Sequence, residues 1–286
     1  MTSAFRLSAG LYTKDTHFVL ELIQNADDDR YAEDVEPCLH FTSKSGRIRI
    51  DCNELGFEEK NVRAICKIGE STKKRSASTG YIGEKGIGFK SVFKAADIVH
   101  IHSGDYSFKF DTTHRAGMLE LGMLAPIWDI FPSDELIQNH TQILMELSAK
   151  CNINSLHGEL KELKPTLLLF LRKLNLIKID IPNETCKTFS CKNRAGSSNV
   201  LITETSSSMG SIYMTRTYEY FVTRHVISDL PQDPKRPGVL TTEIVLAFPL
   251  QSGGPHVTKQ LVYAFLPLKD FGFKVCWANA KLQCYG

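Results

Sequence analysis

The sequence predicts an α/β fold followed by a smaller β-rich segment, and three observations predict it. Between residues 13 and 182, stretches with apolar residues at helical spacing alternate with strand-like stretches. Beyond residue 186 the texture changes. "NVLITET", "SIYMTRTYEYFVTRHVI", "TTEIVLAFPL" and "QLVYAFLPL" are rich in Val, Ile, Thr and Tyr, and Ser, Gly and Pro clusters such as "SSSMGS" and "SDLPQDPKRPG" separate them. Third, residues 80–93, "GYIGEKGIGFKSVF", carry a glycine cluster that reads as a turn feeding a helix. A boundary near 183–190 divides the chain into 1–183 and 184–286.

Residues 13–30 read as a helix, with Thr13 as N-cap, Thr16 at N3, and Val19, Ile23 and Ala26 forming an apolar stripe. "GRIRID" at 46–51 alternates as a strand does. A helix over 58–68 would bury Val62, Ile65 and Ile68 and stop at Gly69. Residues 70–79, "ESTKKRSAST", are basic, rich in hydroxyls and aperiodic, which marks a loop. A third helix should run from Ile87 to about Ala95, followed by strands at 98–103, 106–111 and 141–148. Residues 156–175 look helical, with Pro165 starting a new helix or kinking the old one, and "LIKIDIP" at 176–182 is again strand-like.

Composition narrows the function classes. The chain has 286 residues, 42% of them apolar, enough for about two domains with sizeable cores. Its 34 basic and 32 acidic residues nearly balance, at a net +2, so charge gives little support for nucleic-acid binding. The eight cysteines contain no C-x-x-C pair; Cys186 and Cys191 are the nearest two and lack the usual zinc spacing. The first residues carry no apolar signal region, so reduced thiols and an intracellular, cytoplasmic or nuclear setting are expected. The longest apolar run, "TLLLFL" at 166–171, is far short of the ~20 residues that span a bilayer.

The glycines Gly83, Gly86 and Gly88 invite comparison with phosphate-binding loops. A P-loop needs its Lys-Ser directly after the last glycine, but Phe89 intervenes before Lys90 and Ser91. One extra residue at a helix start rotates the lysine by about 100° and takes it off the phosphates. A dinucleotide fingerprint fails too, because Ser91 stands where its third glycine belongs and no strand precedes. What remains is a glycine turn whose exposed N–H groups, at Gly86, Ile87, Gly88 and Phe89, suit an anionic phosphate chain. The alternative is a glycine-rich connector with no ligand.

In "ELIQNADD" at 21–28, Glu21, Asn25 and Asp28 share one helix face, away from the apolar stripe. Asn25 offers a neutral oxygen suited to Mg²⁺, Glu21 could orient or deprotonate a water, and Asp28 could accept from a base amine or contact a ribose. A solvated acidic helix end, Asp27–Asp29, is the plainer reading. There the helix dipole disfavours acidic groups by about 0.3–1 kcal/mol each, which favours a functional reason for them.

"ELIQNADD", "NELGF" at 53–57 and "GYIGEKGIGFKSVF", in this order, resemble the Bergerat-fold ATPases: gyrase, the ninety-kilodalton heat-shock chaperone, histidine kinases and mismatch-repair ATPases. The resemblance covers about 17–148, and "AICKIGESTK" together with the glycine segment is most similar to the sacsin and NO VEIN group. It implies a two-layer sandwich with a mixed sheet on one side and helices on the other, binding ATP and Mg²⁺ between the helices. By resemblance, Glu21 is the general base, Asn25 the Mg²⁺ ligand, and Asp28 an acid near the nucleotide. Gly56 matches the second glycine of a D-x-G-x-G motif, and Gly83, Lys85, Gly86, Ile87, Gly88 and Phe89 form the phosphate-side turn. Thr141 matches the threonine near adenine, and residues 69–82, with Ser71, Thr72 and Lys73, fall at the ATP lid. The sequence departs at the adenine-reading aspartate, whose place is taken by Cys52, with Glu54 at the first glycine. Asn53 is the expected substitute, since a thiol is a weak acceptor.

The resemblance thus implies Mg-dependent ATP hydrolysis coupled to lid closure, chaperone-like, with protein clients and an ATP-dependent homodimer as implied partners. The alternative is a nucleotide-binding interaction module with little hydrolysis. Lys269 and Lys274, in "LPLKDFGFK", are candidates for a second-domain cation at the γ-phosphate, or are ordinary surface lysines. In resembling proteins "FLPLKDFGFK" leads into further strand. Here "VCWANAKLQCYG" follows, so a fragment, or a gene model that departs from its relatives near 275, is expected, with slow or absent turnover.

Overall fold

The computed structural model describes residues 17–66, 88–113, 119–132, 134–181, 184, 186–193, 198–208, 211–230, 240–251, 254–255, 261–264, 266–270 and 276–279. The first half contains α1 (His17–Asp28), β1 (Cys38–Lys44), β2 (Arg47–Cys52), α2 (Glu59–Ile65) and a 3-10 helix, Phe89–Lys94. It continues with β3 (Ala96–Ser103), β4 (Tyr106–Asp111), α3 (Leu119–Leu124), β5 (Ile127–Trp128), β6 (Thr141–Leu147) and α4 (Ile153–Glu162). A second 3-10 helix, Pro165–Leu169, leads to β7 (Leu176–Asp180). The remaining strands are β8 (Cys186–Asn193), β9 (Asn199–Ser208), β10 (Ser211–Ile227), β11 (Thr242–Gln251), β12 (Gly254–Pro255), β13 (Leu261–Ala264), β14 (Leu266–Asp270) and β15 (Cys276–Asn279).

The expected α/β two-layer sandwich with a separate smaller β-rich segment is overturned. The molecule is mostly sheet, and one 15-stranded sheet, ordered β14-β13-β15-β11-β10-β9-β8-β7-β1-β2-β6-β3-β4-β5 with β12 beside β11, runs through both halves. The ladder crosses residue 183 without a break: β7 and β8 pair antiparallel, with Ile177 opposite Phe189. The sheet is mixed, since β1–β7 and β13–β15 are parallel. Local periodicity could not foresee this, because hydrogen bonding between strands distant in sequence leaves no mark on either strand alone. Helix is also scarcer than the pattern implies. The helix expected from Ile87 is a six-residue 3-10 turn, and the one expected over 156–175 is split at Pro165 into α4 and a second 3-10 turn.

The local chemistry explains the elements. Ser45 and Gly46 both take positive φ, 50° and 75°, in the two-residue turn joining β1 and β2, as a hairpin of the I′ type requires. Alternation then sends Leu39, Phe41, Ile48, Ile50, Val99, Ile101 and Met145 to one face, all buried, where α1 and the first 3-10 helix cover them. The α1 stripe of Val19, Ile23 and Ala26 is buried as its spacing predicts, and so are Phe18, Leu20, Leu22 and Gln24. Only Glu21 and Asn25 in the middle of α1 are half-exposed. Among the described residues no helix is long and apolar enough to cross a membrane.

Phe41 sits at 1% exposure in β1, between Ile50 of β2 and Ile179 of β7. Phe41→Ala should cost about 3–5 kcal/mol through the cavity it leaves, read as a lower urea midpoint at unchanged slope.

Candidate functional site

The site is built on α1, whose one partly open face carries Glu21 and Asn25 one turn apart. Gly88, at the start of the first 3-10 helix, lies directly against it. A Cβ placed on Gly88 would stand 2.3 Å from Glu21 Oε2 and 3.2 Å from its Cδ, so only glycine lets the carboxylate come this close to the turn. Ser91 ties the turn down by donating its hydroxyl to the Gly88 carbonyl at 2.5 Å. The Asn25 carboxamide makes no hydrogen bond among the described residues. Glu21 and Gly88 thus meet across two facing elements, with Asn25 one turn further along α1 and Phe89 next to Gly88 in the chain. Ser71, Thr72, Lys73, Gly83, Lys85, Gly86 and Ile87, with the rest of the 69–82 lid segment, lie outside the described residues, as does Lys274. Lys269 falls in β14.

Lys90, the lysine of the near-miss P-loop, turns away from this face. Its Nζ lies 4.3 Å from the Phe110 ring centroid and 5.8 Å from those of Phe89 and Phe93, and it donates to the Met123 carbonyl. The three rings pack edge-on or tilted around it at 6.0–6.4 Å. Burial pulls its pKa down to about 8.

The acidic end of α1 is a docking device for the chain entering β7. Asp27 is fully buried and accepts the backbone N–H groups of Arg172 (2.9 Å), Lys173 (2.8 Å) and Leu174 (3.0 Å). A buried carboxylate without such donors would carry a heavy desolvation cost. Asp28, expected beside the nucleotide, pairs instead with the Arg172 guanidinium, its side chain fully enclosed. Lys173 Nζ donates to the Asp28 carbonyl at 3.0 Å, covering the negative end of the helix. Asp27 and Asp28 are therefore enclosed, while Asp29 stays half-exposed. Sequence reading missed Arg172 and Lys173, although a basic pair ending the apolar run was a complement to "DDD" in plain view.

Residues 51–57 show a similar division of labour. Asp51 is buried on the face away from the helices, where it accepts from Gln142 Nε2 (2.6 Å) and Arg49 Nε (3.0 Å). Cys52 faces the core at 6% exposure; its thiol shares a 3.2 Å hydrogen bond with the Tyr31 hydroxyl, and burial pushes its pKa up. Asn53, the expected reader of adenine, spends its amide on the backbone before β1: Oδ1 accepts from the Cys38 N–H at 2.8 Å and Nδ2 donates to the Glu36 carbonyl at 2.9 Å. Glu54 folds back into the protein at 8% exposure. One of its oxygens takes the Gly56 N–H at 3.0 Å and the other takes the Thr141 hydroxyl. Ser103 Oγ completes the cluster, 2.5 Å from Thr141 Oγ1 and accepting the Phe57 N–H at 2.8 Å. Gly56 holds φ at +94°, which turns the chain across the end of β3.

Two measurements check this geometry. Arg172→Met should lower stability by about 3 kcal/mol in urea titration, because it leaves Asp28 buried without its cation. For Lys90 the folded pKa lies below the unfolded one, so between about pH 8 and the ordinary lysine range only the unfolded chain holds the extra proton. Stability of the wild type relative to Lys90→Met should therefore rise with pH across that window and be flat below it.

Comparison with known proteins gives two matches, neither of which names the Bergerat ATPases. Residues 7–117 match the sacsin domain model. Over 288 aligned residues, covering 94% of this chain, the sequence is 34% identical to Protein NO VEIN of Arabidopsis thaliana. The chain spans 10% of the length of that relative. The chain is thus similar, over the matched residues, to the sacsin domain and to Protein NO VEIN.

Proposed function

We propose that this chain binds Mg-ATP between α1 and the glycine turn and hydrolyses it, with closure of the 69–82 segment over the nucleotide. The observation that carries the reading is the approach of the Glu21 carboxylate to Gly88, where an added Cβ would stand 2.3 Å from Oε2. It brings an acid to the backbone of a glycine turn whose N–H groups suit phosphate oxygens. The order of Glu21, Asn25, Gly56, Gly88 and Thr141 along the chain resembles that of the Bergerat ATPases, and the chemistry is carried over from those residues rather than from the layer architecture. Asn25 fits a magnesium ion, which needs only one or two protein ligands and keeps its waters and phosphate oxygens. No group of three or more His, Cys, Asp or Glu among the described residues offers a competing site. When bound, the ion would neutralise charge on the transferring phosphoryl group. Glu21 aligns the attacking water and accepts its proton, and the turn's amides hold the phosphates in line. Chaperone-like work on protein clients and nucleotide-driven dimerisation belong to the same proposal.

A second reading, a nucleotide-binding interaction module with little turnover, is favoured by one observation: the position of the adenine-reading aspartate holds Cys52, buried and bonded to Tyr31. Phosphate release alongside calorimetric titration with Mg-ATP separates the two. For the ATPase, Glu21→Ala should bind as wild type yet turn over roughly 10²–10⁴-fold more slowly. Gly88→Ala should also lose turnover, because the new methyl displaces the Glu21 carboxylate, while melting hardly changes since that carboxylate is the mobile end of its side chain. Asn25→Ala should weaken Mg-ATP binding by about tenfold. Binding without turnover in wild type and Glu21→Ala alike would leave only the interaction module.

A further inference from the structure

Lys90 is the residue that the P-loop pattern singled out and that the proposed reaction leaves unused. Its Nζ stands 4.3 Å from the ring centroid of Phe110 and 5.8 Å from those of Phe89 and Phe93, so three apolar walls replace water around an amine. An ammonium carries three N–H donors, and among the described residues they find one acceptor, the Met123 carbonyl of α3. Ring faces attract a cation but accept no strong hydrogen bonds, so they do not restore what its hydration shell supplied. No carboxylate faces the amine among the described residues. The titratable group that acts on it is the Cys66 thiol, which burial keeps protonated. Lys90 itself stays partly exposed, within reach of a small reagent.

We propose that Lys90 is an acylation site, whose ε-amine takes an acyl group from a small thioester inside the cage of Phe89, Phe93 and Phe110. The nitrogen lone pair attacks the thioester carbonyl carbon. An N–C bond forms as the C–S bond breaks, and the leaving thiolate takes up the proton that the nitrogen sheds. Burial supplies the reactive form: a pKa of about 8 leaves roughly a tenth of the amine unprotonated at neutral pH. The cage also selects the product. A secondary amide is uncharged and keeps one N–H, which can go on donating to the Met123 carbonyl. A neutral imine has no N–H and would leave that carbonyl bare. Methylation would retain the enclosed charge, and a carbamate would turn an anion toward the negative ring faces. None of these side chains lies on the Glu21–Asn25 face of α1, so the site stands or falls apart from the nucleotide reading.

The test treats the full chain with N,S-diacetylcysteamine, a small acetyl thioester, and follows each lysine by peptide mass spectrometry from mildly acidic to alkaline pH. Near neutral pH, Lys90 should acetylate about tenfold faster than Lys94, which is exposed on the same 3-10 helix. Its rate should climb to about pH 8 and level off just above it. Phe93→Ser admits water to the ammonium and should bring the Lys90 rate down toward that of Lys94. If this variant does not fold, the wild-type rates and their pH profile decide alone. A chain with acetyl-lysine installed at position 90 should melt no lower than wild type at neutral pH, because the amide escapes the desolvation penalty and keeps the Met123 contact. A Lys90 rate at or below that of Lys94, a rate still rising well above pH 8, or a lower melting temperature of the acetyl-lysine chain each overturns the assignment.

Discussion

The Asp27 carboxylate sits at the end of α1 with no exposed surface and gathers the backbone N–H groups of residues 172–174. These hydrogen bonds join the C-terminal end of the helix that carries Glu21 and Asn25 to the segment that leads into β7. Arg172 on Asp28 and Lys173 on the helix-end carbonyls reinforce the same joint. β7 lies beside β1 and, on its other edge, beside β8. The orientation of the candidate catalytic helix is therefore set by the strand at which the two halves of the sheet meet. A charge buried this deeply tolerates no loose arrangement, because any shift that breaks its donors exposes the whole desolvation cost.

The continuous sheet gives that joint its rigidity. Phe41, Ile50, Ile101 and Ile179 come from four strands and close one apolar layer beneath α1 and the glycine turn. Against this layer the polar residues stand out. Glu54, Ser103 and Thr141 are buried on the helix-facing side yet satisfy one another, and Asp51, Gln142 and Arg49 do the same on the reverse side. Among the described residues Glu21 and Asn25 present polar groups on the partly open face of α1, with the Glu21 carboxylate against Gly88. The acids at 27, 51 and 54 are thus each enclosed by donors.

Much of this was legible in the residues. The stripe of Val19, Ile23 and Ala26, the strand at β2, the break at Pro165 and the β-rich character of the second half all follow from local rules of spacing and turn chemistry. The grouping of Glu21 with Asn25 followed from helical periodicity, whereas the packing of Lys90 over Phe110 had no local signal. Roles inside the acidic runs were not legible. Asp27, Asp28, Asn53 and Glu54 are all short polar residues in turns or helix ends, where side chains with the same chemistry serve either a ligand or the backbone.

The sequence by itself determined the buried stripe of α1, the strands β2, β3, β4, β6 and β7, and which faces are apolar, because these depend on neighbours a few positions apart. Only the tertiary structure decided that the strands on both sides of residue 183 join in one sheet. Only it gave Asp27 and Asp28 to the 172–174 segment and Glu54 to Thr141. The reason is physical: strand pairing and buried-charge partnership are contacts between residues far apart in the chain, and they are chosen by shape and desolvation once the core has closed.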